Sequence, residues 1–321
     1  MKDWTQNLRG VNTKLMKPGY KDRPAEFITK ETVEKLSSWN VNCIRVGICA
    51  DYGYTDTPVD ILDPYKLHFD YLGKLIRWTK DKNINIIVSA DKLYNRKNNW
   101  NLGIRQPILY LDTLIVLWKK IANWFGHNKH LIGYDIFNEP KYELGNNDWQ
   151  NIMIPTLIKT IRDIDKETAL VIEPARSEAW AFWQPFNDPK CVYSYHEYNP
   201  RWFTSQGTTD TLKITNKAYE PGMATIPQLI SNFSSMHNVP IFVGEFGCVR
   251  YANNPQDFFN DFTGLIEDKG WSACNHSYAA HDDWNSTFSK EYDNADHWGV
   301  DGGVETPQLL ELKNWWAKNT I

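Results

Sequence analysis

Two glutamates, Glu139 and Glu245, stand where hydrophobic runs open into polar sequence, and a carboxylate placed there is held rigidly and partly desolvated. Glu139 follows the run Leu131 to Phe137 and sits in Phe137-Asn138-Glu139-Pro140; Glu245 closes Val239-Pro240-Ile241-Phe242-Val243-Gly244 and leads into Phe246-Gly247. Desolvation raises a carboxyl toward neutrality and suits it to general-acid work, whereas a second carboxylate kept ionised serves as a nucleophile. One of each, about 5 Å apart, is the minimum for cleaving a glycosidic bond with retention of configuration.

Elements of a definite kind must position such a pair. Eight β-rich apolar runs recur with helical patterns between them: Leu8 to Val11, Cys43 to Ile48, Ile84 to Ala90, Leu131 to Phe137, Ala169 to Glu173, Cys191 to Glu197, Ile241 to Gly244 and Trp271 to Tyr278. Leu111, Leu114, Ile115, Trp118, Ala122 and Phe125 mark one face of a helix, and Leu157, Ile158 and Ile161 another after Pro155. Leu309, Leu310, Leu312, Trp315 and Trp316 form a last amphipathic pattern. Strand-helix alternation eight times over predicts a single (β/α)₈ TIM barrel across residues 1–321, its active site at the C-terminal ends of the strands. An open doubly wound sheet is disfavoured because no GxGxxG or Walker sequence occurs. Runs four and seven stand nearly opposite in an eight-membered ring, so Glu139 and Glu245 are expected to face one cleft.

The 321 residues contain no linker or low-complexity stretch, and 35 Lys plus Arg against 39 Asp plus Glu give no basic field for nucleic acid. Five cysteines without a CxxC pair speak against a disulfide framework and a zinc site, and the pairs His127/His130 and His276/His281 lack metal-site spacing. No metal or other cofactor is expected. No apolar stretch has membrane-span length, and Met1-Lys2-Asp3-Trp4 does not begin a signal peptide. As written the chain reads as cytoplasmic and monomeric, or as secreted if a leader was removed. Fifteen Trp and sixteen Tyr exceed what a core needs, and flat rings with a polar edge suit sugar faces.

Leu8-Arg9-Gly10-Val11-Asn12, Asn42-Cys43-Ile44-Arg45-Val46, Phe137-Asn138-Glu139-Pro140, His196-Glu197-Tyr198 and Val243-Gly244-Glu245-Phe246-Gly247 resemble, in order and spacing, glycoside hydrolase family 5, the cellulase family. The resemblance implies Glu139 as acid/base and Glu245 as nucleophile. It also implies that Asn138 bonds the sugar 2-hydroxyl, that Arg45 and Tyr198 hold the nucleophile ionised, and that His196 bonds the acid/base or the sugar. A guanidinium beside Glu245 agrees with that division, since it favours the charged form. The chain departs from the family pattern in two places: run three reads Ile87-Val88-Ser89-Ala90-Asp91-Lys92 without a histidine, and run eight offers His276 and Tyr278 where a tryptophan platform is usual. Trp284, Trp202, Trp180, Tyr278, His276 and Trp100 are the expected sugar contacts.

The leading expectation is a retaining endo-β-1,4-glycanase, most simply an endoglucanase on β-glucan. Within the same class stand β-mannanase and exo-acting β-glucosidase or β-mannosidase, because Asn138 can meet either an axial or an equatorial 2-hydroxyl. From a different class stands a non-catalytic carbohydrate-binding protein on the same scaffold, which retention of both glutamates with Arg45, Asn138 and Tyr198 argues against.

Overall fold

A computed structural model describes residues 4, 7–14, 28–50, 66–93, 111–140, 148–175, 184–208, 217–278, 284–287 and 305–319. Eight parallel strands close into a barrel: β1 (Arg9–Lys14), β2 (Cys43–Ala50), β3 (Asn85–Leu93), β4 (Leu131–Asp135), β5 (Ala169–Ile172), β6 (Cys191–Glu197), β7 (Ile241–Phe246) and β8 (Ser272–Asn275). Each pairs with the next in sequence. Closure comes at β1, where Gly10 is in register with Cys43 on one side and Cys274 on the other. A Cβ at Gly10 would lie 2.4 Å from the Cys43 carbonyl oxygen and 2.7 Å from Cys274 Sγ, so the seam closes only around a glycine.

Helices α1 (Lys30–Ser38), α2 (Lys66–Thr79), α3 (Leu111–Phe125), α4 (Ile154–Arg162), α5 (Arg201–Thr204), α6 (Gln228–His237), α7 (Pro255–Lys269) and α8 (Pro307–Trp316) follow the strands, with a π-helical turn at Trp149–Met153 leading into α4. Their limits follow from local chemistry. Thr29 accepts from the Thr32 amide at 3.2 Å to start α1, Thr306 does the same for Leu309 at 3.2 Å to start α8 ahead of Pro307, and Gly270 in the left-handed region stops α7. On α3 the buried face is Leu114, Leu117, Trp118, Ile121 and Ala122; the expected Leu111, Ile115 and Phe125 flank it, partly buried.

The core has two layers. Outward-facing strand residues such as Ile44, Val88, Leu170 and Val243 pack under the helices, while Leu8, Cys43, Ile87, Ile132, Val171, Val192, Phe242 and Cys274 fill the barrel itself, with Trp4 against them. Successive residues on a strand alternate faces, so two residues beyond each inward apolar group comes another inward group. On β2, β3 and β6 and just past β5 those groups are Arg45, Ser89, Ser194 and Glu173: the filling turns from hydrocarbon to polar in one step along the axis.

All eight expected strands exist, and the differences lie at their ends. β4 stops at Asp135 rather than Phe137, β5 at Ile172 rather than Glu173, and β8 spans Ser272–Asn275 rather than Trp271 to Tyr278, whereas β7 continues through Glu245 to Phe246. Cys43, Cys191, Cys248 and Cys274 are free, buried thiols. No helix among the described residues is long and apolar enough to cross a membrane.

Candidate active site

Glu245 reaches the barrel interior through an irregularity. On β7, Phe242 points into the barrel and Val243 out to the helices, so regular alternation would put Gly244 in and Glu245 out. Between β6 and β7 the register shifts: Tyr195 pairs with Val243 but His196 pairs with Glu245. This extra residue is a β-bulge, which re-aims the side chain that follows it, and Glu245 turns inward. Only glycine fits at the bulge, since a Cβ on Gly244 would lie 2.6 Å from Ser194 Oγ and 3.0 Å from His196 Nε2.

Across the mouth, Glu139 stands four residues past the end of β4 with φ of +47°, in the left-handed region that side chains other than glycine rarely adopt. The Asn138 amide donates to the Ala90 carbonyl at 2.9 Å, which ties this turn to β3.

Arg45 links the two sides. From the floor of the cleft it donates to Glu245 Oε1 at 3.0 Å, Asn12 Oδ1 at 2.8 Å, Asp135 Oδ2 at 2.7 Å, Asn138 Oδ1 at 2.7 Å, Glu173 Oε1 at 3.1 Å and Ser89 Oγ at 3.2 Å. The Tyr198 hydroxyl donates to Glu245 Oε2 at 2.7 Å, and His196 Nδ1 and His276 Nδ1 each lie 3.5 Å from the same oxygen. His196 Nδ1 is also 3.0 Å from Glu139 Oε1. The Glu245 side chain is 11% exposed and that of Glu139 32%, so the pair differs in burial as well as in company.

The charges follow from these contacts. Burial alone would raise the Glu245 carboxyl, but the positive charges of His196, His276 and Arg45 and the Tyr198 hydrogen bond hold it well below the usual carboxylate range. Burial would strip His196 of its proton; the charges of Glu173 and Glu245 and the bond to Glu139 instead raise it well above the usual histidine value. Burial raises Tyr198 and the neighbouring Glu245 charge adds to it, so this phenol remains a donor. Asp135, wholly buried, is pushed up to about 7 by burial despite Arg45, with Glu173 adding to the rise.

Of the expected site residues, Glu139, Glu245, Arg45, Asn138, His196 and Tyr198 come together, and His276 joins them. Trp284 packs edge-on against Tyr198 with centroids 4.9 Å apart and 6.0 Å from His276, at the border of the same cleft. Trp202 sits on α5, half-buried against Phe203, with Lys217 Nζ 6.0 Å from its ring centroid. Tyr278 is a correction: β8 ends at Asn275, and three residues later the Tyr278 side chain is 2% exposed, packed edge-on against Trp39 in the outer core. Trp180 and Trp100 lie outside the described residues. Glu139, His196 and Glu245 also present one ligand-type atom each within 4.8 Å of one another, a span that fits a cation and that histidine spacing alone does not reveal. Arg45 and the two histidines already supply positive charge there.

Four participants were missed: Asn12, Ser89, Asp135 and Glu173. Glu173 carries the signal that marked Glu139 and Glu245, a carboxylate closing an apolar run, and Asp135 is a lone charge inside one.

The barrel and its facing carboxylates define a glycoside hydrolase. The family model for Cellulase (glycosyl hydrolase family 5) matches residues 2–299. The chain belongs to that family. It is 22% identical over 244 residues to cellodextrinase A of Ruminococcus flavefaciens, covering 71% of each, and 22% identical over 191 residues to endoglucanase C of Acetivibrio thermocellus, covering 56% of this chain and 53% of that one. Among solved structures it is similar to endoglucanase Cel5A of Thermotoga maritima, with a TM-score of 0.74, 19% identity and 96% of both chains covered. A complex of that enzyme with mannotriose also has a TM-score of 0.74, at 18% identity, covering 97% of this chain and 98% of that one.

Proposed function

We propose that residues 1–321 form one catalytic domain, a retaining endo-β-1,4-glycanase acting on β-glucan, with Glu139 as acid/base and Glu245 as nucleophile. One observation carries the reading: both glutamates bring an oxygen into a set of atoms within 4.8 Å of one another, which suits the roughly 5 Å of a retaining pair better than the roughly 6.5–9.5 Å of an inverting one.

The residues divide the work as follows. Glu139, the more exposed carboxyl, gives its proton to the departing glycosidic oxygen while Glu245, kept ionised, attacks the anomeric carbon and forms a glycosyl-enzyme. Glu139 then takes a proton from water, which displaces Glu245. Asn138, whose Oδ1 accepts from Arg45, presents its amide NH₂ to the sugar 2-hydroxyl. Trp284 and His276 border the subsite beside Glu245, with Trp202 and the undescribed Trp180 and Trp100 as further sugar contacts.

The relatives' names, endoglucanase and cellodextrinase, support β-glucan. A mannan backbone is the second reading, favoured by the mannotriose complex of Cel5A. Reducing-sugar release from a panel of β-glucans, mannans and xylans, with the anomer formed first read by NMR, tests both parts. Release from glucan with the β-anomer first is expected. An α-anomer first would overturn retention, and no release from any polysaccharide would return the chain to the carbohydrate-binding class.

A further inference from the structure

Glu173 stands one residue past the end of β5 and its side chain is wholly buried. Its own backbone is anchored, since its carbonyl accepts from Trp149 Nε1 at 2.8 Å. One carboxylate oxygen, Oε2, accepts the backbone N–H of Glu139 at 2.9 Å; the other, Oε1, lies 3.1 Å from Arg45 Nη2 and 3.1 Å from His196 Nε2. His196 in turn faces Glu139 Oε1 through Nδ1 at 3.0 Å. Glu173 thus meets Glu139 twice, directly at its main chain and through His196 at its side chain.

The main-chain contact matters because Glu139 sits at φ of +47°. Such a conformation persists only where its surroundings over-determine it. A charged acceptor aimed at the Glu139 amide does this, and the direction of the turn sets where the carboxyl points. The charge of Glu173 is also the first of the influences that keep His196 protonated against burial.

We propose that Glu173 is a positioning residue for proton transfer, fixing the Glu139 main chain and the His196 imidazole so that the Glu139 carboxyl meets the departing oxygen. It acts through Glu139 and touches no sugar. The inference rests on Glu139 being the acid, as proposed above.

The test separates the two. An aryl glycoside with a dinitrophenyl leaving group departs without a proton, whereas an alkyl or sugar leaving group needs one. Glu173→Gln keeps the shape and removes the charge; Glu173→Asp keeps the charge and withdraws it from the Glu139 amide. In either variant kcat/KM on an unactivated oligosaccharide should fall roughly 10- to 100-fold, the scale of a misplaced general acid, while kcat/KM on the dinitrophenyl glycoside falls less than about threefold. Equal loss on both substrates in a folded variant would reduce Glu173 to a structural role and overturn the proposal. Should Glu173→Gln not fold, Glu173→Asp decides alone by the same comparison. A wild-type enzyme that turns over neither substrate would instead overturn the two-glutamate reading.

Discussion

At the scale of single residues, Glu139 and Glu245 are the same side chain in unlike company, and they should fail differently. Glu245→Ala removes the proposed nucleophile, so even a dinitrophenyl glycoside should hardly react. Glu139→Ala leaves that group in place; an activated substrate should still glycosylate Glu245, and azide, which needs no general base, should release a β-glycosyl azide. Any azide product from Glu245→Ala should be the α-anomer, and NMR of the two products would expose an exchange of roles. His276 gives a second expectation. It is one of three cations that hold Glu245 low, so His276→Gln should move the acidic limb of the pH profile of kcat/KM upward, toward the ordinary carboxylate range; an unmoved limb would remove His276 from the set. These positions were legible because a carboxylate at the end of a buried run is costly without a purpose. Asn12 and Ser89 were not, because a small polar residue inside a strand is common and only the Arg45 guanidinium, arriving from another strand, gives them meaning.

At the scale of elements, hydrophobic patterning located all eight strands but missed where the chain leaves the ladder. The bulge at Gly244 is the clearest case, because a shift of register is a relation between two strands and leaves no period in either one. Gly244→Ala tests the bulge: the added methyl meets Ser194 Oγ and the His196 ring, so kcat should fall about 100-fold while the far-UV circular dichroism is retained. The end of β4 carries its own expectation. Asp135 has its folded value raised to about 7 against an ordinary 3.8, so between those values the folded chain holds a proton that the unfolded chain releases. Its contribution to stability is therefore full below the ordinary value and is lost as pH rises toward 7. In Asp135→Asn that part of the slope should vanish from a series of melting temperatures between about pH 4 and 7; an unchanged slope would assign the titration elsewhere.

At the scale of the whole molecule, the barrel is fastened at the end away from the cleft. Arg9 on β1 makes a two-pronged contact with Glu267 on α7, at 2.7 and 2.6 Å, and Glu267 Oε1 also accepts from Trp315 Nε1 on α8 at 2.7 Å. Burial raises the Glu267 carboxyl but these hydrogen bonds and the Arg9 charge bring it below its ordinary value, so its contribution is present above the ordinary carboxyl range and is lost as pH falls through it. Glu267→Gln should cost about 2 kcal/mol at neutral pH and lower Tm by roughly 3–5 °C, with the gap to wild type closing toward pH 3 and activity per folded molecule unchanged. That separation has a wider consequence, which the two-tier filling of the barrel makes concrete. The hydrocarbon tier of Cys43, Ile87, Val171 and Phe242 answers to heat, and the ionic tier of Arg45, Asp135, Glu173 and Glu245 answers to substrate. Ionic groups in an interior contribute little net stability, and apolar replacements of matching volume are often as stable or more so. A lineage of such barrels is therefore free to adapt its growth temperature through one set of positions and its diet through another, and drift that improves packing in the ionic tier will be seen first as a tougher, slower enzyme.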